Sequence, residues 1–561
     1  MKKSCWVNKK SLIFLLCLLP VFCLSQPGEN YAWPIDTPHT ITGNYGELRP
    51  NHFHMGWDFS TKGQINLPVY AIDDGFVSRL KVSSGGYGKA VYITYPGNKL
   101  SLCAHLTSYA GAIAQAVSAA QQAKQAYEVE LFPANGEIKV KKGELIGYSG
   151  NSGNSSGPHL HFEIRNQQTE VPLNVFDFYD LKDTIRPELQ EVAFYNLADT
   201  NNPVLKKSFK ILASKNDSLF MRKDSVILYH SILGFAFSGF DRFVAKGNPN
   251  VIYSAQLFVD EQQIFSYAMN NISFEDQRYV NEFSETVNKI KYQKCFLPTL
   301  YPASVYGNSF NKGRIVLADT NFHLLTLKVK DEHNNTRSLQ FYFKTRKIEN
   351  YAIPLLKGDV FVNCNKDLVA TKKGLFISVP ARTLYHSRPL SIENSINTKG
   401  TLTLFPAHIN LATAIRIGFL PSLKLRDKKE KLVLMNGSIA YSPRLSGDSL
   451  YYSVFSLGHF ELKQDTVAPK IKTQLTPKKI KRVKSFSSFS FIIRDNLSGV
   501  ATYSLFLNDD WVLAEYDAKS SLLTYFFDEN TPPGNLKFRV EAADKTGNVS
   551  EYKFTLKRGS P

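Results

Sequence analysis

Three short segments of the sequence contain histidines and an aspartate at spacings that can build a metal site. They are NHFHMGWDFS (51–60), LCAHL (102–106) and GPHLHFEIR (157–165). In the last segment His159 and His161 are two residues apart in a run with strand composition. Both imidazoles therefore project from one face of a strand, while Leu160 and Phe162 pack on the opposite face. The pair predicts a site for metal binding, for proton transfer, or for both.

His54 and Asp58 are four residues apart in the first segment, which places both on one face if the segment is an extended strand. Imidazole nitrogens and carboxylate oxygens are both good zinc donors. Together with one histidine of the 159/161 pair, they form a set of two histidines and one carboxylate. Three protein ligands leave one tetrahedral position open, which is the pattern of catalytic zinc. The histidines outside this set are then free for acid–base chemistry.

These segments and the runs between them resemble the lysostaphin-type (LytM-like) zinc endopeptidases, which cleave peptidoglycan peptides. The resemblance covers about 27–180 and includes GNYGELRPNHFHMGWDF, PVYAIDDGFVSRL, GGYGKAVYITY, AHL and VKKGELIGYSGNSGNSSGPHLHFEIR, in that order. It implies one zinc ion (Zn2+) per chain, held by His54, Asp58 and His161. It further implies that His105 and His159 are catalytic histidines that do not bind the metal, and that peptidoglycan peptides are the substrate.

Three features depart from the usual pattern of the family. Trp57 stands where the family usually has an aliphatic residue, and Cys103 where it often has tyrosine. Residues 110–127, AGAIAQAVSAAQQAKQAY, predict a helix inserted into the sheet domain. None of the three removes a predicted ligand, but the inserted helix could cover or reshape the cleft.

Several residues near the motifs have two interpretations. Asn44 and Arg49 either shape the cleft or belong to turns and surface. Glu163 alternates onto the face of the histidine pair, where it either orients a ligand histidine or is solvated or ion-paired. We interpret His52 as structural and Cys103 as a packed thiol. The remaining histidines are also interpreted as structural, namely His39, His230, His323, His333, His386, His408 and His459.

The composition predicts a folded, mainly β protein. Of the 561 residues, 43% are hydrophobic and 21% are charged, which excludes a disordered chain and allows about three to four domains. Tyr, Phe, Val, Thr and Ile are frequent, and helical periodicity is scarce. With the resemblance, this predicts an antiparallel-sheet peptidase domain of LytM type with an inserted helix, followed by immunoglobulin-like β-sandwich modules.

The chain beyond residue 180 contains an internal repeat. DTIRPEL (183–189) corresponds to DTVAPKI (465–471), VIYSAQLFVD (251–260) to ATYSLFLND (501–509), and VKDEHNNTRSLQFYF (329–343) to AADKTGNVSEYKFTL (542–556). The segments 329–343 and 542–556 resemble bacterial immunoglobulin-like modules, in which a D-x-x-G-N turn joins the last two strands. In the first of these segments Asn334 stands in place of the glycine. We predict a peptidase domain at 27–180, such modules at 183–345 and 465–558, and a β-rich domain at 350–464. The first module is longer and predicts an insertion near 270–315.

The first 25 residues predict an export signal. MKKSCWVNKK has four lysines and no acid, and the apolar run SLIFLLCLLPVFCLS follows it. This run is short for a membrane span, and we predict cleavage after Ser25 and a location in the periplasm or cell envelope, or secretion. No other stretch is apolar enough for a transmembrane span. The alternative of an acylated Cys23 is disfavoured by the bulky Phe22.

The cysteines and the charge limit the partners and the stabilising elements. The mature chain keeps Cys103, Cys295 and Cys364, which is no disulfide framework. A formal net charge of +18, or about +14 without the signal, favours anionic envelope polymers over nucleic acid for an exported protein. The alternative role of the positive charge is to keep the protein soluble. For the lysine-rich segment TPKKIKRVKS (476–485), the alternative is an exposed strand edge that lysines protect.

Two functions without hydrolysis compete with the peptidase. The chain could bind the wall and activate another murein hydrolase, although relatives of that kind lack metal ligands. It could also be an adhesin whose β modules bind cells.

Overall fold

The computed structural model describes residues 31–558, except for 39, 200–202, 223–224, 302–303, 347–357, 394–395, 397–399, 407–408, 475–486 and 530. The fold is mainly β, which confirms the prediction from composition. The predicted signal, the basic segment 476–485, His39 and His408 lie outside the described residues. Within the described ranges, no helix is long and apolar enough to cross a membrane.

The region that resembles a peptidase is built around a large antiparallel sheet. Its strands are β1 (Ile41–Gly43), β2 (Leu48–Arg49), β3 (His52–Phe53), β4 (Trp57–Ser60), β5 (Pro68–Tyr70), β6 (Gly75–Val82), β7 (Lys89–Tyr95), β8 (Lys99–Leu106), β9 (Ser108–Tyr109), β10 (Val129–Leu131), β11 (Lys139–Val140), β12 (Leu145–Tyr148), β13 (His159–Asn166) and β14 (Pro172–Leu173). The main sheet has the order β1-β4-β13-β8-β7-β6-β10, with β11 beside β6 and β14 beside β13. β5-β12-β9 and β2-β3 form smaller sheets.

Strand β13 lies in the middle of the main sheet and has two different faces. Leu160, Phe162 and Ile164 are completely buried in the apolar core. His159 and His161 project from the other face, as period-2 alternation requires. The strand composition of HLHFEI therefore places the histidine pair on one side of a rigid central strand.

The predicted inserted helix is present as α1 (Gly111–Lys124). Its buried residues are Ile113, Val117 and Gln121. The first two belong to a continuous apolar cluster that also contains Phe489 and Leu505 from the C-terminal part of the chain. The helix therefore contributes to the contact between the peptidase region and the last module.

The next part of the chain folds into two packed sheets. Its strands are β15 (Glu188–Asn196), β16 (Val204–Ala213), β17 (Leu219–Met221), β18 (Ser225–Leu228), β19 (Leu233–Phe240), β20 (Ser254–Val259), β21 (Gln262–Ala268), β22 (Ser284–Val287), β23 (Ile290–Lys294), β24 (His323–Lys330) and β25 (Thr336–Thr345), with a short helix α2 (Val280–Phe283). The sheet orders are β17-β16-β15-β19-β23-β22 and β18-β25-β24-β20-β21. Short 3-10 helices are Phe274–Tyr279 and Phe310–Gly313 here, and Val175–Asp177 and Lys429–Lys431 elsewhere.

The remaining strands form two further pairs of sheets. Those of the β-rich region are β26 (Val360–Val362), β27 (Leu368–Lys372), β28 (Leu375–Val379), β29 (Arg388–Glu393), β30 (Thr401–Phe405), β31 (Asn410–Phe419), β32 (Leu432–Asn436), β33 (Ile439–Tyr441), β34 (Arg444–Ser446), β35 (Ser449–Ser456) and β36 (Gly458–Gln464), with helix α3 (Leu423–Arg426). Those of the last region are β37 (Lys470–Thr473), β38 (Ser488–Arg494), β39 (Val500–Leu507), β40 (Asp510–Val512), β41 (Glu515–Asp517), β42 (Leu522–Phe526), β43 (Gly534–Asp544) and β44 (Val549–Arg558). The orders are β26-β29-β30-β36-β32-β33 and β27-β28-β31-β35-β34, then β37-β38-β42-β41 and β40-β39-β43-β44.

The sequence repeat corresponds to a repeat in pairing. β24 pairs with β20 and β25, and β43 pairs in the same way with β39 and β44. The turns between the last two strands contain Asn334 with φ 65° and Gly547 with φ 79°. Both sit in the left-handed region, which glycine adopts freely and asparagine tolerates, so Asn334 can replace the glycine. The immunoglobulin-like class and the domain boundaries stay predictions.

The peptidase region packs against both repeated modules. Tyr45, Phe53 and Met55 belong to the same apolar cluster as Phe194 and Phe235 of the first module. On its other side, the peptidase core is continuous with the core of the last module. Two segments more than a hundred residues apart in sequence therefore enclose the region that carries the histidines.

Candidate active site

Adjacent strands bring the predicted residues together. Along β13, His161 lies opposite Asp58 of β4 on one side and opposite Ala104 of β8 on the other. His105 follows in β8, so three neighbouring strands supply these side chains. The structure thus collects side chains from the three sequence segments on one face of the sheet.

The expectation of one extended strand for His54 and Asp58 differs from the structure. β3 ends at Phe53 and β4 begins at Trp57, so His54 lies in an irregular connection. Gly56 lets this connection pass β13 closely, because a Cβ there would lie 2.2 Å from the Phe162 carbonyl oxygen. The two side chains still meet, because the chain bends toward the sheet between them.

The three predicted ligands present their donor atoms to one point. His54 Nε2 lies 2.9 Å from His161 Nδ1 and 3.1 Å from Asp58 Oδ1, and His161 Nδ1 lies 2.9 Å from the same oxygen. All three residues are at least 95% buried. Sequence reasoning had left open which atoms face each other.

Hydrogen bonds on the far sides of the rings fix the positions of the protons. His54 Nδ1 lies 2.8 Å from the carbonyl oxygen of Asn44, and His161 Nε2 lies 2.8 Å from Glu163 Oε1. Oxygens of these kinds only accept, so Nδ1 of His54 and Nε2 of His161 carry the protons. In the neutral form of each ring, the nitrogen that faces Asp58 therefore presents a lone pair.

This donor set fits a zinc ion. Two nitrogen lone pairs and a carboxylate oxygen converge in a buried place, where their mutual repulsion calls for a cation. Tetrahedral zinc with bonds of about 2.0–2.2 Å spaces its ligand atoms about 3.3–3.5 Å apart, close to the separations observed. His54, Asp58 and His161 are one of three groups of potential metal ligands among the described residues, and of these groups this one alone contains imidazole.

Charges around the ligands stabilise the carboxylate form of Asp58. Burial acts in the opposite direction, but His54 and the hydrogen bonds from the surrounding histidines hold the pKa of Asp58 well below its usual range. Burial also lowers the pKa of His161, yet hydrogen bonds to Asp58 and Glu163 raise that pKa to about 9. The pKa of His54 is lowered, mainly because the ring is completely buried. In the absence of a metal, a proton on His161 can therefore relieve the repulsion among the ligand atoms.

Arg49 and Asn44 support the ligands directly, which decides between the two interpretations of each. The Arg49 guanidinium contacts Asp58 Oδ2 and also pairs with Glu47 at 2.9 Å. The Asn44 side chain is buried and bonds to Val251 and to Glu332 of the first module, while its carbonyl accepts from His54. Each residue therefore fixes one ligand, and Asn44 connects His54 to the neighbouring module.

His105 and His159 lie side by side next to the ligand cluster, with ring centroids 4.9 Å apart. His159 Nε2 is 3.4 Å from Asp58 Oδ1, and it is buried without a hydrogen-bond partner in good geometry. The Nδ1 atoms are bound to carbonyl oxygens at 2.8 Å, His105 to Ser152 and His159 to Gly157. Both rings are thus oriented with Nε2 available for proton transfer.

An irregularity in strand β8 directs His105 toward the cleft. The pairing of β7 with β8 shifts register across this position, and His105 has φ 61°. Bulges of this kind rotate a side chain away from the regular alternation. Burial, and next the proximity of His161 and His159, lower the pKa of His105 to about 3. Cys103, on the regular part of the strand, lies in the apolar core, where burial raises the pKa of its thiol to about 12.

Glu163 orients His161 and is itself held by two other residues. It is completely buried and accepts from Tyr87 Oη at 2.6 Å and from Arg165 Nε at 2.8 Å, in addition to His161. Burial opposes ionisation, but Arg165 and His161 lower the pKa of Glu163 to about 2. The solvated alternative for Glu163 is wrong. Sequence reasoning missed Tyr87, whose only signal was its place in the matching run GGYGKAVYITY.

A cavity of about 280 Å³ adjoins the cluster. Its walls include His54, His161, His105 and Tyr87, together with Gln277 from the first module. Among the described residues that line it, none belongs to α1, so the helix does not border this cavity. Gln277 belongs to the predicted insertion 270–315, which contacts the peptidase region through Phe274 beneath the Arg165 guanidinium, 4.6 Å away.

The last module holds the loop that leads into β13. Lys519 Nζ donates to the carbonyl oxygens of Ser155, at 3.1 Å, and of Asn151. Ser155 Oγ lies 3.2 Å from His159 Nδ1. Lys89 Nζ pairs with Glu515 at 2.7 Å on the same side. The position of His159 therefore depends on a contact with the C-terminal module.

Residues 132–173 match Peptidase family M23, which confirms the resemblance predicted from the motifs. The matched stretch includes His159 and His161. His54, Asp58 and His105 lie before it and are brought to it by the sheet.

Relatives with named peptidase functions each match less than a quarter of this chain. The chain is 33% identical over 123 residues to the DD-carboxypeptidase/endopeptidase Mpg of Neisseria meningitidis, which is 22% of this chain and 22% of that protein. It is 28% identical over 140 residues to the peptidoglycan DD-endopeptidase ShyA of Vibrio cholerae, 24% of this chain and 26% of that protein. The match therefore spans about a quarter or less of the length of these relatives. The catalytic domain of lysostaphin from Staphylococcus simulans has 26% identity and a TM-score of 0.18, covering 24% of this chain and 87% of that domain.

Replacing Glu163 with glutamine is expected to weaken zinc binding about 10- to 100-fold, the usual effect of losing a group that orients a metal ligand. The amide keeps the shape of the side chain but removes the charge that Arg165 and His161 face. Competition with a chromogenic chelator measures the zinc affinity. Glu170→Gln is the matched control, because that exposed carboxylate also contacts Arg165, at 3.3 Å, but not His161. Equal zinc affinity in both variants would contradict the orienting role of Glu163.

Proposed function

We propose that the chain is an exported zinc metalloendopeptidase that hydrolyses peptide bonds of peptidoglycan. The observation that carries the proposal is the convergence of two imidazole lone pairs and one carboxylate oxygen, 2.9–3.1 Å apart, beside a second pair of imidazoles. The match to a peptidase family supports the reaction class. The substrate class comes from the relatives, one of which is named a peptidoglycan DD-endopeptidase.

His54, Asp58 and His161 would hold the zinc ion. Zinc in such a site polarises a carbonyl group and makes water available as a nucleophile near neutral pH. Arg49 keeps the second oxygen of Asp58 engaged, and Asn44 and Glu163 keep the two ligand rings oriented. These residues preorganise the site before substrate arrives.

His159 takes the proton of the attacking water at Nε2. This atom is buried, faces the ligand cluster and has no competing hydrogen-bond partner. The water oxygen bonds to the carbonyl carbon, the carbon–nitrogen bond breaks, and the proton held by His159 passes to the leaving amine. The products are one carboxylic acid and one amine, so one water molecule is consumed for each bond cleaved.

His105 acts as a hydrogen-bond acceptor that orients the water or the protonated His159 ring. Its proton is held at Nδ1 by the Ser152 carbonyl, so neutral His105 has a lone pair at Nε2 and cannot donate to an oxyanion from that atom. The same holds for neutral His159, whose Nδ1 donates to Gly157. An imidazole can stabilise the oxyanion in this site only after it has gained a proton.

The size of the cleft fits a flexible peptide as substrate. A cavity of about 280 Å³ beside the cluster has room for a short stretch of an extended peptide chain. Peptidoglycan peptides are short and unfolded, and for an exported protein they are accessible. Export itself is proposed from the sequence of residues 1–25, and amino-terminal sequencing of the protein from the cell envelope tests it, with Gln26 expected first.

Release of peptides from defined muropeptides, followed by mass spectrometry, tests the hydrolytic function. We expect release by the purified protein, loss of release with a zinc chelator, and recovery when zinc is added back. Release that is unchanged by the chelator would exclude zinc-dependent hydrolysis. Wall binding without release under any condition would favour the non-hydrolytic activator.

A further inference from the structure

Three buried aspartates of the first module form a cluster that shares no residue with the histidine site. Asp183, Asp241 and Asp331 are 9%, 1% and 1% exposed, and one carboxylate oxygen of each lies within 4.8 Å of the others. Asp183 precedes β15, Asp241 follows β19 and Asp331 follows β24. The cluster therefore joins the ends of strands from both sheets of the module.

The repeated module has an equivalent cluster, Asp465, Asp495 and Asp544. Asp465 precedes β37 as Asp183 precedes β15, and Asp495 follows β38 as Asp241 follows β19. Asn335 Nδ2 donates to Asp183 O at 3.1 Å and to Asp331 Oδ2 at 2.7 Å. Asn548 makes the same two bonds, at the same lengths, to Asp465 and Asp544. The turn with Asp and Asn four residues apart is thus the frame of a recurring carboxylate cluster.

The first cluster has buried oxygens that no protein group satisfies. Neither Asp241 Oδ1 nor Asp241 Oδ2 has a hydrogen-bond partner in good geometry, and Asp183 Oδ2 has none either. Asp183 Oδ1 and both oxygens of Asp331 accept from local donors. Buried carboxylate oxygens are rarely left without a partner. Asp241 therefore brings to the cluster two oxygen atoms that each need a binding partner.

Among the described residues no lysine or arginine pairs with this cluster, while His333 lies close enough to Asp183 for a proton on its ring to favour the carboxylate form. Burial, together with Asp331 and Asp183, raises the pKa of Asp241 to about 8. Glu332 adds a fourth carboxyl group, whose Oε2 is also buried without a partner. Such a cluster of buried carboxyl groups is stable if a proton or a cation neutralises its charge.

We propose that Asp183, Asp241 and Asp331 bind a calcium ion in the first module. The donors are all carboxylate oxygens, which suits a hard cation and not zinc. Oxygens bound to one calcium ion at about 2.4 Å can be at most about 4.8 Å apart, and one oxygen of each aspartate lies within that limit of the others. The site is separate from the histidine cluster and does not depend on the proposed peptidase function.

The calcium site would stiffen the part of the first module that contacts the candidate active site. Glu332 follows Asp331 directly and accepts from Asn44 at 3.2 Å, and the Asn44 carbonyl accepts from His54. The chain of contacts from the cluster to a predicted zinc ligand is therefore two residues long. Calcium would hold β15, β19 and β24 together at the end of the module that contacts Asn44.

Equilibrium dialysis of the purified full-length protein against about 1 mM calcium, the range in which extracellular calcium sites bind, tests the proposal. Bound calcium is measured by mass spectrometry for wild type and three variants. We expect Asp241→Asn to bind one calcium ion fewer per chain than wild type. Asp495→Asn, the same change in the equivalent cluster, should retain the calcium bound at Asp241. Asp509→Asn alters an exposed turn residue and should bind as wild type does.

Thermal melting provides a second readout that does not depend on measuring the amount of bound calcium. Without calcium, Asp241→Asn should melt at the same temperature as wild type or higher, because it removes one carboxylate from a repulsive cluster. With calcium, the melting temperature of wild type should rise further than that of Asp241→Asn. Equal calcium content in wild type and Asp241→Asn, or an equal rise in melting temperature, would overturn the proposal.

Discussion

An Asp58→Ala variant is expected to lose its zinc and to lose peptide hydrolysis by at least about 10³-fold, because the metal supplies several kcal/mol of transition-state stabilisation. Asp58 contacts the imidazoles of His54, His159 and His161 and is the one carboxylate in the donor set. Without it, two neutral nitrogens remain, and two ligands do not hold zinc as three do. Metal analysis of the purified variant and release of muropeptides measure the two effects.

Asp74→Ala is the control for this variant. Asp74 is an exposed aspartate of the same region, and its contact with Lys141 at 2.9 Å is a surface ion pair of little energetic weight. The Asp74→Ala variant should keep one zinc ion and wild-type turnover. An Asp58→Ala protein with a full complement of zinc would show that the convergent donor atoms do not form the metal site.

A His159→Ala variant is expected to keep one zinc ion per chain and to lose turnover by about 10²- to 10⁴-fold, the usual contribution of a positioned acid–base group. His159 Nε2 points toward the ligand cluster, yet His54, Asp58 and His161 complete the donor set without it. Zinc content and the rate of peptide release, measured on one preparation, separate the two roles.

His52→Ala is the control, because His52 is a histidine close to the ligand cluster that bonds through Nδ1 to Pro50 O at the surface. Its turnover should stay close to that of wild type. Loss of zinc from His159→Ala would mean that the assignment of ligand and proton acceptor within the histidine pair is wrong.

The two-residue repeat of side chains along a β-strand made the histidine pair of the site predictable. Side chains two residues apart must share a face, so the HLH run placed His159 and His161 together whatever the rest of the fold. The apolar residues between them fixed which face is buried. The spacing of His54 and Asp58 suggested both as ligands, and the family resemblance then supplied the choice of His161 within the pair and the roles of His105 and His159.

The supporting contacts could not be read from the sequence, because they depend on bends and on neighbouring modules. His105 reaches the cleft through a register shift with positive φ, for which the sequence has no signal. Tyr87 and Arg49 act across strands, and Asn44 acts through its backbone carbonyl, an atom that every residue has. Residue type alone therefore cannot separate Asn44 from an ordinary turn asparagine.

The repeat was predictable as a pattern, but its acidic chemistry was not. The Asp-x-x-x-Asn turns identified Asp331 and Asp544, and the Asp-Thr segments identified Asp183 and Asp465. The third aspartate of each cluster follows a strand whose sequence differs between the modules, GFDRF in one and IIRDN in the other. The pairing of β15 with β19 brings Asp241 to Asp183, and the packing of the second sheet brings Asp331 to both.

The contacts of Asn44 with one module and of the loop before His159 with the other have a consequence for biosynthesis. A nascent chain grows from its amino end at about 5–20 residues per second, and its domains begin to fold as they emerge. Glu332, which contacts Asn44, and Lys519, which holds the loop before His159, are both made after the region that carries the histidines. A fragment that ends near residue 180 lacks both supports, so the positions of His54 and His159 should be less well fixed in it than in a chain that includes Glu332 and Lys519.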